Sequence, residues 1–300
     1  MIERTSANER EHRSAVDVSV IIPMRDAEST IGGQLRSLSE QAFSGTWEVI
    51  IADNASQDGS IDAALRFSRE LPSLHIVDAG EKKGPSFARN MGTYSSRGRL
   101  ILYCDADDEV TGGWLEAMWR AFEVAEFLTA REDRGSLSGG PPDLRSLNDS
   151  QFRFLPWSRG GNIGIARRIF DEVGGWNEDR VIGEDVDFCW RVQSAGYKLH
   201  CVEGAIIRYR QPSRYFELAA QQFRFGVHAP QLYADWAFLG APRVNALNIM
   251  KDMGWVLYKS PSSVLSRKRR RHWIAGSAGR LGRLVGAVKL AFSSLQLTGR

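Results

Sequence analysis

Short runs of β-branched and apolar residues alternate along this chain with stretches whose apolar positions recur every three to four residues. The runs at 18–23, 47–53, 74–78 and 99–104 read as strands, because Val and Ile suit a pleated, buried surface; Pro23 halts the first of them. Between them the spacing predicts a helix over 30–39, with Ile31, Leu35 and Leu38 on one face. A second helix opens near Ser60, capped by Asp58 or by Ser60 itself, and a third covers 87–95. Strand–helix alternation of this kind predicts an α/β fold with a mainly parallel sheet flanked by helices. A further helix is predicted over 114–128. There the pattern stops: residues 130–150 are rich in Gly, Pro, Ser, Asp and Arg, and read as a mobile loop or insertion. Order resumes at Phe152, with helices predicted over 167–173, 184–195 and 215–225 and strands over 197–202 and 205–209. The expected organisation is a disordered N-terminus over 1–15, a main domain over 16–235 (first half 16–128, second half 151–235) and a tail over 236–300.

In open α/β sheets ligands gather beyond the carboxyl ends of the strands. Asp53, Asp78 and Asp105 all stand at such ends. Asp105 and Asp107, at i and i+2 as the chain leaves a strand, project to the same side. Asp108 and Glu109 add charge to the same turn, and four carboxylates in five positions repel one another unless a cation sits among them. A hard divalent cation with oxygen ligands, Mg²⁺ or Mn²⁺, meets that need and also carries substrate phosphates. An acidic, solvated turn has the same sequence. Further on, Glu184-Asp185 follows Gly183 and opens a helix, where either acid can complement the helix dipole.

Composition sharpens this in two places. The chain has 300 residues, 43% hydrophobic and 25% charged, which is the make-up of a globular protein with a sizeable core. Its net charge of +3 hides an asymmetry. Ten of the 39 basic residues and none of the 36 acidic ones lie after Tyr258, so residues 1–258 carry 29 positive against 36 negative charges, a net −7. A basic tail on an acidic body points the tail towards an anionic surface or towards plain solvation. The three cysteines match no metal or redox spacing, which favours a reducing compartment. The first 13 residues are too charged for a signal peptide, and no apolar run approaches the ~20 residues of a spanning helix. The expected location is the cytoplasm or the inner face of the cell membrane.

Taken in order, several segments carry a family resemblance. They are 18–23, Asp53-Asn-Ala-Ser-Gln-Asp-Gly-Ser60, Gly84-Pro-Ser-Phe-Ala-Arg-Asn-Met-Gly92, 100–108, Gly160-Gly-Asn162 with its continuation to Phe170, Val173-Gly-Gly-Trp-Asn-Glu178, and Gly183-Glu-Asp-Val-Asp-Phe-Cys-Trp-Arg191. Over roughly 17–230 the chain resembles the family-2 glycosyltransferases, which have the GT-A fold, the nucleotide-diphospho-sugar transferase fold. The resemblance implies transfer of a sugar from a UDP-, GDP- or dTDP-linked donor to a carbohydrate or lipid-linked acceptor with inversion, in the setting of cell-envelope polysaccharide synthesis. It implies that Asp53 binds the base or ribose, with Pro23 and Arg25 lining the same pocket. Arg89 meets the donor near its phosphates, or else forms a buried salt bridge to Asp53 or Asp105. Asp105 faces the ribose or metal, Asp107 ligates the metal directly, and Asp185 is the catalytic base. Glu184, Gly161 and Asn162 line the acceptor side, with Gly160 in the same turn. Trp176 and Trp157 stack on sugar faces or lie in the core. Asp187 and Arg191 pair structurally. One departure is visible: the family often places a metal-completing His after the last core strand, and the stretch 205–210 has none; His228 comes later.

Two other readings use the same carboxylates. A sugar-nucleotide nucleotidyltransferase calls for a Gly-rich phosphate loop after the first strand, and Pro23-Met-Arg-Asp-Ala has no glycine until Gly32. A non-catalytic nucleotide-sugar-binding relative does not need Asp107 and Asp185 together. No G-x-G-x-x-G follows a strand, which argues against a dinucleotide-dependent dehydrogenase. In the tail, Leu281, Leu284, Val285, Val288 and Phe292 recur at helical spacing among basic residues. That pattern fits an amphipathic helix on anionic lipid, packing against the body, or dimerisation. The cluster Arg267–Arg271 lacks an aromatic platform, so no nucleic acid is expected.

Overall fold

A computed structural model describes residues 16–146, 154–242, 244–260 and 266–298; the expected N-terminal disorder over 1–15 lies outside the described residues. The chain divides into two compact units, Met1–Asn148 with Pro156–Arg210, and Asp149–Leu155 with Gln211–Arg300.

The first unit is built on one sheet. Strands β1 (Val16–Met24), β2 (Trp47–Asp53), β3 (Leu74–Asp78) and β4 (Gly98–Cys104) lie in the order β3-β2-β1-β4 and are all parallel. Their connections are the helices Ile31–Ser39, Ser60–Leu65 and Pro85–Ser95. Register fixes the rim: Met24 pairs with Asp53, Asp53 with Asp78, and Ile21 with Tyr103. The carboxyl ends of β3, β2, β1 and β4 therefore follow one another along one rim, as the strand–helix pattern implied. Both faces of β1 are covered: seven of its nine residues are buried, Ser19 among them. Ile31, Leu35 and Leu38 bury on Val20, Ile22 and Val49 from one side. On the other side the helix Pro85–Ser95 comes close at Gly92, where a Cβ would stand 2.6 Å from Ile21 Cγ2.

Beyond β4 the sheet becomes mixed. Strands β5 (Glu109–Val110), β6 (Phe127–Asp133), β7 (Leu144–Arg145), β8 (Asn162–Ala166) and β9 (His200–Arg208) complete the order β4-β8-β6-β9-β5, with β7 on β6. Here β8 pairs antiparallel with both β4 and β6, and β6 pairs parallel with β9. The helix expected over 114–128 ends at Phe122, and its last positions belong to β6, which runs on into the stretch read as a loop from 130. Asp133 then organises the turn: its Oδ1 accepts the N–H groups of Gly135 and Asp143 at 2.9 and 3.0 Å. The two short strands expected over 197–209 are one strand whose register slips between Ala130/Arg131 and its partners Val202/Ile206.

The second unit is helical, with Tyr215–Asp235, Ala246–Lys259 and Arg267–Thr298. The helix expected over 215–225 is ten residues longer and carries Pro230 within it. Asn245 caps the second helix by accepting the Asn248 N–H at 2.9 Å.

Candidate active site

Asp105, Asp107 and Asp108 leave β4 at the parallel rim, and one carboxylate oxygen of each lies within 4.8 Å of the others. The three are not equivalent. Asp108 is fully buried; its Oδ2 receives Arg159 Nη2 at 2.6 Å and its Oδ1 the Arg210 N–H at 2.9 Å. Asp105 receives Arg89 Nη2 at 3.0 Å, with Arg159 Nη1 4.0 Å from its other oxygen. Asp107 makes no ion pair among the described residues and keeps a solvent-facing surface. The surrounding protein, and next the charge of Asp105, raise its carboxyl above the usual range. With both Asp108 oxygens and one of Asp105 tied down, the Asp107 carboxylate and the remaining Asp105 oxygen, crowded together, fit a hard divalent cation. Asp108 is a structural acid.

Asp53 ends β2 at the same rim and is buried. Its Oδ2 accepts the Ser56 N–H at 3.3 Å, while Oδ1 has no hydrogen-bond partner among the described residues. Ala55 beside it holds a left-handed φ of 60°, which costs a non-glycine residue energy and keeps the turn tight over the strand end. Pro23 is half-buried in β1 opposite Ala52, and Arg25 is exposed, 3.7 Å from Asp26.

Glu184 and Asp185 open the helix Glu184–Ser194 directly after Gly183, whose φ of 78° a glycine adopts without strain. Glu184 Oε1 stands 3.6 Å from Arg89 Nη1. Asp185 Oδ1 accepts the Val186 N–H at 2.8 Å. Burial, then the neighbouring Glu184 charge, push the Asp185 carboxyl up to about 7; burial also raises Glu184. Arg89 is 4% exposed and bridges Asp105 and Glu184, so it ties the two acidic groups together from below.

Two family models match this chain, glycosyl transferase family 2 over residues 19–173 and glycosyl transferase family group 2 over residues 144–298. The chain belongs to glycosyltransferase family 2. Glycosyltransferase AglE of Haloferax volcanii is 28% identical over 269 residues, covering 85% of each chain. The pre-mycofactocin glycosyltransferase of Mycobacterium tuberculosis is 26% identical over 255 residues, 80% of this chain but only 52% of its own length. Among solved structures, mannosyltransferase PcManGT from Pyrobaculum calidifontis, in complex with GDP-Man and Mn²⁺, superposes with a TM-score of 0.64 at 18% identity, over 93% of this chain and 91% of that one. Residues 1–349 of S. aureus TarS, in complex with UDP-GlcNAc, give 0.54 at 16% identity, over 92% of both. Likeness at such identities establishes the fold, GT-A.

Within this glycosyltransferase, several residues read as acceptor contacts have other neighbours. Trp176 is buried, stacked on Phe188 at 4.1 Å and edge-on to Tyr103, with the Arg89 guanidinium 4.8 Å from its ring centre. Its ring surface is taken up by protein, so it supports Arg89 and presents no face to a sugar. Asn162 is also buried, and its amide clamps β6 by accepting the Ala130 N–H at 3.0 Å and donating to the Ala130 carbonyl at 2.8 Å. Trp157 is buried as well. Asp187 accepts from Arg191 Nε at 2.9 Å, the structural pair anticipated. His228 belongs to the helix Tyr215–Asp235 of the second unit. Where the resemblance leads one to look for a histidine, this enzyme has Tyr209 and Arg210: Arg159 lies over the Tyr209 ring at 3.5 Å, and Arg210 Nε donates to the Asp107 carbonyl at 2.8 Å.

Gly160 and Gly161 matter for close approach. A Cβ on Gly160 would sit 2.6 Å from the Arg89 guanidinium, and one on Gly161 2.2–2.5 Å from the Asp105 carboxylate. The glycosyltransferase thus presses bare backbone against both groups.

The residue that sequence reasoning missed is Arg159. It joins Asp108, Glu132 (2.8 Å) and the edge of Asp105, and stacks on Tyr209. Arg159→Met is expected to cost about 3–5 kcal/mol in urea unfolding, because it strands buried Asp108 without its cation. A loss below about 1 kcal/mol would show that the network is not holding the turn.

Proposed function

We propose that this enzyme transfers a sugar from a nucleotide-diphospho-sugar to an acceptor hydroxyl in a single inverting displacement, with Mg²⁺ or Mn²⁺ held by Asp107 and Asp105. The observation that carries this reading is the pair of crowded rim carboxylates, Asp105 and Asp107, beside an Asp53 oxygen that is buried without a partner. Asp53 accepts a hydrogen bond from the base or ribose, since a buried lone carboxylate oxygen calls for a donor. Pro23 and Arg25 flank that nucleoside. Arg89 acts as a positioning residue, fixing Asp105 on the donor side and Glu184 on the acceptor side. Asp185 takes the proton from the attacking hydroxyl, and Glu184 orients the acceptor. A bound divalent cation would neutralise the diphosphate and the charge it gains on leaving.

The donor class proposed is UDP-, GDP- or dTDP-linked, and the acceptor a carbohydrate or lipid-linked sugar. PcManGT with GDP-Man and Mn²⁺, and TarS with UDP-GlcNAc, support a nucleotide-sugar donor. A thermal-shift screen of nucleoside diphosphates with and without Mn²⁺ tests the reading. One nucleobase is expected to raise the melting temperature by several degrees only when Mn²⁺ is present. Equal, metal-independent responses to all bases would overturn it.

A further inference from the structure

The helix Ala246–Lys259 has two unlike faces. Asp252 receives Arg283 at 2.8 and 2.9 Å and lies 3.3 Å from Arg280 Nε, while the Val256 carbonyl accepts Trp273 Nε1 at 3.1 Å. These contacts seat one face on the helix Arg267–Thr298. On the other face Leu247, Met250, Leu257 and Tyr258 are 57%, 70%, 74% and 77% exposed. At 100° per residue those four, with Gly254, fall within an arc of about 120° opposite Asp252 and Val256. No residue of this helix is buried. An apolar stripe of this size without a partner marks an interaction surface.

The helix Arg267–Thr298 repeats the arrangement. Leu281, Val285, Val288 and Phe292 are exposed and fall within about 60° of one another. Its inward side is made of glycines: a Cβ on Gly282 would lie 2.2 Å from the Phe223 carbonyl oxygen, and one on Gly286 2.1 Å from that of Val227. The helix therefore meets Tyr215–Asp235 backbone to backbone, and that contact needs no large apolar side chain. The large ones are turned outward instead.

Charge decides what covers these faces. No acidic residue follows Asp252, and Asp252 is engaged by Arg280 and Arg283. Lys251 stands on the apolar arc itself, and exposed Arg269 and Arg270 follow in the same unit. The same face of a second copy would bring like charges together, whereas a layer of anionic headgroups over acyl chains complements both the stripe and its basic margin. No described helix is long and apolar enough to cross a membrane. We infer that the outward face of Ala246–Lys259 lies in the interface of an anionic lipid bilayer, with Leu247, Met250, Leu257 and Tyr258 among the acyl chains.

The test is co-sedimentation of the full chain with vesicles of phosphatidylcholine and of an equimolar phosphatidylcholine–phosphatidylglycerol mixture. The chain is expected to bind the anionic vesicles, less tightly as salt rises, and M250E/L257E to bind at least about tenfold more weakly. Both positions are exposed, so that variant should keep the wild-type melting temperature. Absence of wild-type binding to either vesicle, or equal binding by M250E/L257E, overturns the inference. So does a dimer in light scattering that M250E/L257E splits while vesicle binding is absent, because a second copy would then be the occupant.

Discussion

Asp185→Asn is expected to leave nucleotide-sugar binding within about twofold and to lower transfer by about 10²–10⁴-fold, the range that a positioned general base supplies. Asp185 is the second residue of its helix, held by the Val186 N–H at 2.8 Å, and burial followed by the Glu184 charge puts its carboxyl at about 7. A base must be ionised to accept the hydroxyl proton. Transfer should therefore rise with pH through about 7 and level off above it, and Asp185→Asn should flatten that limb. Because Glu184 and Asp185 stand side by side, the apparent value belongs to the pair. Stability depends on pH in the opposite sense. A carboxyl raised from its unfolded value of about 3.9 binds its proton more tightly when folded, so its contribution is present at low pH and is lost as pH rises towards 7. Asp185→Asn should therefore be more stable than the wild type above pH 7 while being nearly inactive, as expected when a site holds an acid against its preference. Full transfer by Asp185→Asn would mean that another group takes the proton.

Much of this site could be read from the chain because its parts are local. Asp53 ends and Asp105 directly follows a strand whose apolar run is plain in the sequence, and a parallel sheet aligns such ends without further information. Glu184 and Asp185 follow a glycine at a helix start. The unread parts depend on partners far away in sequence. Arg159 contacts residues 27 and 51 positions back, so nothing in its neighbourhood marks it. Strand β6 was hidden because its charged residues look like surface: Glu132 is buried only because Arg134 and Arg159 neutralise it. The resemblance puts Gly161 on the acceptor side with Gly160 in the same turn, and neither has a positive φ; what excludes a side chain is the Arg89 guanidinium and the Asp105 carboxylate. Trp176 has two readings from sequence, a sugar platform or the core that is the commoner fate of a Trp, and the stacked Phe188 selects the core.

The same distinction between free and committed acids gives the second large effect. Asp107→Ala is expected to weaken Mn²⁺-dependent UDP or GDP binding by at least about a hundredfold, since removing a ligand should cost no less than removing one of its supports. Its fold should be unchanged, because Asp107 makes no ion pair among the described residues and reaches solvent. Asp108→Ala should do the reverse. It empties a buried position bonded to Arg159 and the Arg210 N–H, so the unfolding midpoint falls first and any loss of binding follows from that. Titration calorimetry with and without Mn²⁺, run beside urea unfolding on both variants, separates the two roles. Unchanged metal-dependent affinity in Asp107→Ala would refute its role as ligand even if Asp185 proves to be the base. A loss in Asp107→Ala at constant stability, against a loss of stability in Asp108→Ala, would assign one acid of the turn to the substrate and its neighbour to the fold.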